Sequence, residues 1–175
     1  MAEKQVHLVL GGCRSGKSSY ALELAEAAAG GTNIFAATCV PADEEMQARV
    51  FRHQQERGRK WTTVEAPIEL AGAIREHGAV ADVVVVDCLT LWVSNLMARH
   101  EKDEQVMEQV NTLAEVLNAA SCPVLVVSNE VGSGIVPENP MARRFRDLAG
   151  FANQHVAARA DRVTLMVAGI PMQIR

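Results

Sequence analysis

Gly11-Gly12-Cys13-Arg14-Ser15-Gly16-Lys17-Ser18 fits G-x-x-x-x-G-K-[ST], the spacing of a loop that wraps phosphate. Glycine lets such a backbone curl until successive N–H groups point at one anion. Lys17 then reaches the terminal phosphates, and Ser18 offers its hydroxyl to a magnesium ion. The flanks suit the motif. Val6–Leu10 reads as a buried strand before it, and Ser18–Ala29 as an Ala/Leu-rich helix after it. The start of that helix adds partial positive charge. The chemistry indicated is binding of a nucleoside triphosphate.

Other residues extend this reading. Val83-Val84-Val85-Val86-Asp87 is an apolar run closed by a carboxylate. In P-loop proteins an acid there holds the magnesium that bridges the phosphates, although an Asp also caps many ordinary strands. Arg49, His53 and Arg57 are spaced four apart on a predicted helix, Asp43–Arg57, and share one face. Two guanidiniums beside an imidazole disfavour its protonation and leave it nucleophilic. By spacing alone the row reads more readily as a solvated basic face with a bystander histidine. Glu65, closing Trp61-Thr62-Thr63-Val64, is an acceptor for a base or ribose, or a surface cap. Asn129 and Glu130 close another apolar run, and Val131–Pro137 is a Gly-rich loop that either covers a substrate or only connects. Arg143, Arg144 and Arg146 are candidates for phosphate or for helix-surface charge. His7, His77, His100 and His155 have no such neighbours and receive no role.

The elements that must position these groups are legible as alternating patterns. Strands are expected at Val6–Leu10, Asn33–Ala37, Val83–Val86, Val124–Val127 and Val163–Val167, and their nearly continuous apolar character suits strands covered on both faces. Helices are expected at Ser18–Ala29, Asp43–Arg57, Pro67–Glu76, Leu89–Ala98, Glu104–Ala119 and Met141–Ala160. This alternation predicts an α/β domain spanning residues 1–175, with a mostly parallel central sheet flanked by helices. Val163–Val167 and Met172–Ile174 around Gly169-Ile170-Pro171 fit a C-terminal antiparallel edge hairpin. Ligands in such sheets bind beyond the carboxyl ends of the strands. Gly11–Ser18, Thr38-Cys39, Asp87-Cys88 and Ser128-Asn129-Glu130 should therefore meet at one cleft.

Composition narrows the function. A formal charge of −4 and 4% aromatic residues argue against nucleic acid as a partner. Cys13, Cys39, Cys88 and Cys122 show no metal-ligand spacing and read as reduced, buried thiols. The amino end has no leader-like run, and no apolar stretch approaches about 18 residues, which points to a cytoplasmic protein with no membrane span.

Together, GGCRSGKS at Gly11–Ser18, DEEMQARVFRHQQERGRKW at Asp43–Trp61, VDCL at Val86–Leu89 and SNEVGSGIVPENPMARRFRD at Ser128–Asp147, with Asn153-Gln154 beyond, resemble one family. It is the bifunctional adenosylcobinamide kinase / adenosylcobinamide-phosphate guanylyltransferase family of cobalamin biosynthesis. The likeness runs from Leu8 to Ile174. It implies a RecA-like P-loop fold and two reactions. ATP or GTP phosphorylates the aminopropanol hydroxyl of adenosylcobinamide. GTP then transfers GMP to that phosphate through a GMP–histidine intermediate. The family's R-[IV]-x-x-H pattern falls on Arg49-Val50-Phe51-Arg52-His53, so the resemblance implies His53 as nucleophile beside Lys17. Implied nucleotide contacts are Gly11, Gly12, Cys13, Arg14, Ser15, Gly16, Lys17, Ser18, Ala37, Thr38, Cys39, Gln54, Gln55, Glu56, Glu65 and Asp87, with Mg2+ on Ser18 and Asp87. Implied partners are adenosylcobinamide and its phosphate, GTP and ATP, within a homotrimer. Cys13 departs from the Ala common at that position. No guanine-reading N-K-x-D motif occurs, so the GTP preference rests on the resemblance.

Overall fold

A computed structural model describes residues 5–28, 30–41, 44, 47–48, 55 and 60–175. Of the predicted Asp43–Arg57 helix only Glu44, Gln47, Ala48 and Gln55 are described, all helical and exposed. His53, Gln54 and Glu56 lie outside the described residues.

Valine-rich runs build the centre. The strands are β1 (Val6–Gly11), β2 (Asn33–Ala37), β3 (Trp61–Glu65), β4 (Val83–Asp87), β5 (Val124–Asn129), β6 (Arg162–Val167) and β7 (Ile170–Gln173). They form one sheet in the order β3-β2-β4-β5-β1-β6-β7. Every pairing is parallel except β6–β7. Because side chains alternate along a strand, Val83 and Val85 enter one core while Val84 and Val86 enter another on the opposite face.

Helices cover both faces unequally. On one face α1 (Lys17–Ala28) packs through Ala21 and Ala25, whose methyl side chains let the helix lie close. Opposite it lie α2 (Leu70–Gly78), α3 (Leu89–Arg99), α4 (Asp103–Ala119) and α5 (Pro140–Arg159). The expected apolar row of α4, Val106, Val110, Leu113 and Leu117, is fully buried. The helix predicted from Pro67 begins instead at Leu70. The Pro67 and Ile68 carbonyls are taken by Asn95 Nδ2 at 3.0 Å and Trp92 Nε1 at 2.7 Å, so they do not start the helix. At α5, Asn139 Oδ1 accepts from Met141 N at 2.8 Å and Ala142 N at 3.2 Å, with Pro140 in the first turn. The expected edge hairpin is present. Ala168 at φ 51° and Gly169 at φ 82° give it the two left-handed positions of a two-residue turn.

Two helices meet the carboxyl edge of the sheet. Asn153 of α5 sits at that edge, bonded to Ser128 Oγ at 2.6 Å and to the Asn129 carbonyl at 3.1 Å. At 1.5 Å per residue, the section from Pro140 to Asn153 is about 20 Å of helix ahead of that contact. Beside this section runs α3, which leaves the same edge from Cys88.

His7 is buried on β1, with Nε2 2.8 Å from Thr164 Oγ1. Burial first, then the Arg162 charge, holds its pKa below the ordinary 6.5. The unfolded chain therefore takes the proton first as pH falls, so stability is lost downward from about pH 6.5. In urea titrations at about pH 7 and about pH 5, His7→Gln should lose less stability on acidification than the wild type.

Candidate active site

β1 delivers the phosphate loop between β5 and β6. Its carboxyl end is fixed on both sides. Glu130 N donates to the Gly11 carbonyl at 3.0 Å, and Gly169 N, in the β6–β7 turn, donates to the Ser15 carbonyl at 3.0 Å. Gly11 has no room for a side chain, since a Cβ would lie 2.5 Å from Ser15 Oγ and 2.6 Å from the Met166 carbonyl. Gly16 has φ +93° and Arg14 φ 55°, so the loop curls through left-handed positions.

Lys17 and Ser15 are buried within this curl. Lys17 Nζ bends back to donate to the Gly12 carbonyl at 2.6 Å. Burial pushes the ammonium below the ordinary lysine range, and the Asp87 carboxylate opposes part of that fall. Ser15 Oγ finds no hydrogen-bond partner among the described residues. A desolvated cation and an unsatisfied hydroxyl suit a loop built to receive an anion.

The remaining described candidates line up along the carboxyl edge. Ala37 stands in register with Glu65 on one side and Asp87 on the other. Asp87 and Ala37 are half-buried, and Glu65 is exposed. Strand spacing puts the end of β4 about 10 Å from that of β1, and the end of β3 about 19 Å. Asp87 thus ends the strand two places from β1, and Glu65 the strand four places away. Ser18 is half-buried in the first turn of α1. Gln55 is exposed, and β2, the strand before it in the chain, ends at Ala37.

A hydrogen-bond network fixes this edge. Thr38 Oγ1 donates to the Cys88 carbonyl at 2.8 Å and accepts from Cys88 N at 2.7 Å. Asn95 Nδ2 donates to the Thr38 carbonyl at 2.8 Å. Thr90 Oγ1 accepts from Asn129 N at 3.0 Å and from Asn129 Nδ2 at 2.9 Å. Thr90 and Asn95 escaped the reading of the sequence, because nothing about their spacing marks them.

Two readings of the sequence change. Of the four cysteines, Cys13 is exposed on the loop, Cys39 is half-exposed, and only Cys88 and Cys122 are buried. Arg143 Nη1 donates to the Pro137 and Glu138 carbonyls, and Arg144 pairs with Asp103 at 2.6 Å. Both guanidiniums hold local structure instead of facing the loop.

Residues 7–174 match the family described as cobinamide kinase / cobinamide phosphate guanyltransferase. The chain belongs to that family. It is 42% identical to the bifunctional adenosylcobalamin biosynthesis protein CobU of Escherichia coli K12, covering 96% of this chain and 98% of that one. It is 39% identical to the bifunctional adenosylcobalamin biosynthesis protein CobP of Pseudomonas aeruginosa, covering 96% of each. A KaiC-like protein from Pyrococcus horikoshii OT3 shares the fold, with TM-score 0.54 and 16% identity over 93% of this chain and 71% of that one. The arrangement is the expected RecA-like P-loop sheet.

Substitution should separate the two loop glycines. Gly11→Ala meets backbone and should cost about 1–3 kcal/mol in denaturant unfolding. Gly12→Ala, with nothing within 4 Å of its Cβ, should stay within about 0.5 kcal/mol.

Proposed function

We propose that this chain performs two successive phosphorus transfers on a corrinoid, using one triphosphate site for both. The observation that carries the reading is the buried Lys17 ammonium, folded onto its own loop at the edge where Asp87 also ends a strand. In the first step the aminopropanol hydroxyl of adenosylcobinamide attacks the γ-phosphorus of ATP or GTP. The bond to the β-phosphate oxygen breaks and a nucleoside diphosphate leaves. In the second, an imidazole nitrogen of His53 attacks the α-phosphorus of GTP and pyrophosphate leaves. An oxygen of adenosylcobinamide phosphate then attacks that phosphorus, and the P–N bond breaks to release adenosylcobinamide-GDP.

Positioning and charge neutralisation dominate such transfers. Gly11, Gly12, Cys13, Arg14, Ser15 and Gly16 supply the curled backbone. Lys17 leaves the Gly12 carbonyl for phosphate oxygens, which return its lost solvation as charge pairing. Ser18 and Asp87 would hold Mg2+, which when bound neutralises phosphate charge. Ala37, Thr38, Cys39 and Glu65 lie farther along the edge, where a nucleoside would extend, and Gln54, Gln55 and Glu56 share the His53 segment. The R-V-F-R-H spacing supports His53 as nucleophile.

The reading includes a cytoplasmic homotrimer. Val167, Ile170, Met172 and Ile174 stand exposed on one face of the β6–β7 edge, an apolar surface that supports association. Sedimentation equilibrium should return three chains of 18.9 kDa each.

Incubation with α-labelled GTP and magnesium, then denaturation, should leave an acid-labile, base-stable label on His53. His53→Ala should abolish the label and guanylyl transfer while sparing phosphorylation of cobinamide. Lys17→Ala should lower both activities on the order of a hundredfold or more. Active enzyme that never carries the label overturns the histidine route.

A further inference from the structure

Helices α3 and α5 enclose a groove that the phosphate site does not use. Met97 and Ala98 of α3 face Met141 and Phe145 of α5 across a cavity of about 390 Å³. Ser94 and Asn139 give it a polar rim. Met141 is 73% exposed, and the loop that leads to it from Glu130 presents Ile135 at 97% and Val136 at 57%. Charge is absent from the lining in effect. Arg144, the one cation there, is paired with Asp103 at 2.6 Å and also donates to the His100 carbonyl at 3.1 Å. An anion would find no free partner. A neutral amphiphile would find thioether and aromatic walls with amide and hydroxyl groups at the mouth.

The groove also stands at the correct end of the sheet. α3 starts at the end of β4, from Cys88, and Asn95, next to Ser94, donates to the Thr38 carbonyl just past β2, so the groove lies at the carboxyl edge that carries Asp87. We propose that this groove seats one edge of the corrin ring of cobinamide, with the aminopropanol arm reaching down to the phosphate loop. The proposal rests on the corrinoid reading above. A corrin presents apolar, methylated ring edges and uncharged carboxamide arms, which match the walls and the rim respectively. The cavity is too small for the whole macrocycle, so the rest of the ring lies over the exposed Ile135–Val136 loop.

Ala98→Trp and Ala142→Trp each fill the groove from a different helix, and neither residue belongs to the phosphate site. With dicyanocobinamide as acceptor, each should raise the cobinamide KM at least tenfold and leave the GTP KM within twofold. Unchanged cobinamide KM in both variants overturns the groove while leaving the corrinoid reading intact. An equal rise in the GTP KM also overturns it, because the groove would then not be separate from the nucleotide site. A wild-type chain that neither binds dicyanocobinamide nor phosphorylates it sinks the functional reading itself. Should the variants unfold, hydrogen exchange on the wild type decides. Residues 94–98 and 139–145 should exchange more slowly with dicyanocobinamide and not with GTP alone. Slowing that follows protein concentration without corrinoid means a second copy fills the groove, which refutes the proposal.

Discussion

Gly11 has room for a hydrogen atom and nothing larger, and the geometry of the site follows from that. Its missing side chain lets Ser15 Oγ and the Met166 carbonyl close around the end of β1. The loop can then fold back tightly enough to bury Lys17 against the Gly12 carbonyl. A burial of this kind costs free energy while the site waits, since the ammonium is desolvated and meets one neutral acceptor. Phosphate oxygens reverse that cost on arrival. The loop is thus poised for an anion before one binds, and differential stabilisation of charge is what phosphorus transfer requires.

Poise needs a rigid support. The supports lie in neighbouring strand ends, not in the loop. Glu130 N and Gly169 N clamp the loop from β5 and from the β6–β7 turn. Thr38 and Thr90 then tie β2, β4 and β5 together at the same edge through Cys88 and Asn129. The hydrogen bonds of Thr38 and Thr90 are buried or half-buried, where a lost partner costs more than in water. A parallel sheet places all its carboxyl ends on one side, so a few short side chains can register three strands at once.

Local chemistry was legible in the sequence, and tertiary pairing was not. Glycine spacing and the following Lys-Ser identified the loop because only certain residues can make that curl. Apolar runs found the strands to within two residues, and the Trp61–Val64 run that Glu65 closes is β3. Helix α2 begins three residues late because Trp92 and Asn95, distant in sequence, capture the carbonyls that would have started it. Thr90 and Asn95 look ordinary in the chain. Their importance arises from strand order, which periodicity does not encode. Arg143 and Arg144 illustrate the converse. Their charge suggested phosphate, yet local carbonyls and Asp103 already occupy them.

The two faces of the sheet divide the work. On the α1 face, alanines allow a thin, close layer, so the loop and the first turn of its helix sit tightly on the strands. On the other face four of the described helices form a thick core, and the amino-terminal part of α5, ahead of Leu148, lies outside it. A thin layer favours precise phosphate geometry. A thick one provides surface for an acceptor much larger than the nucleotide. The acceptor's reactive hydroxyl hangs on a flexible arm, so the bulky part must be held at a distance while the arm enters the cleft. Helices that meet the catalytic edge answer that need, whereas a loop alone would leave the acceptor's orientation to chance.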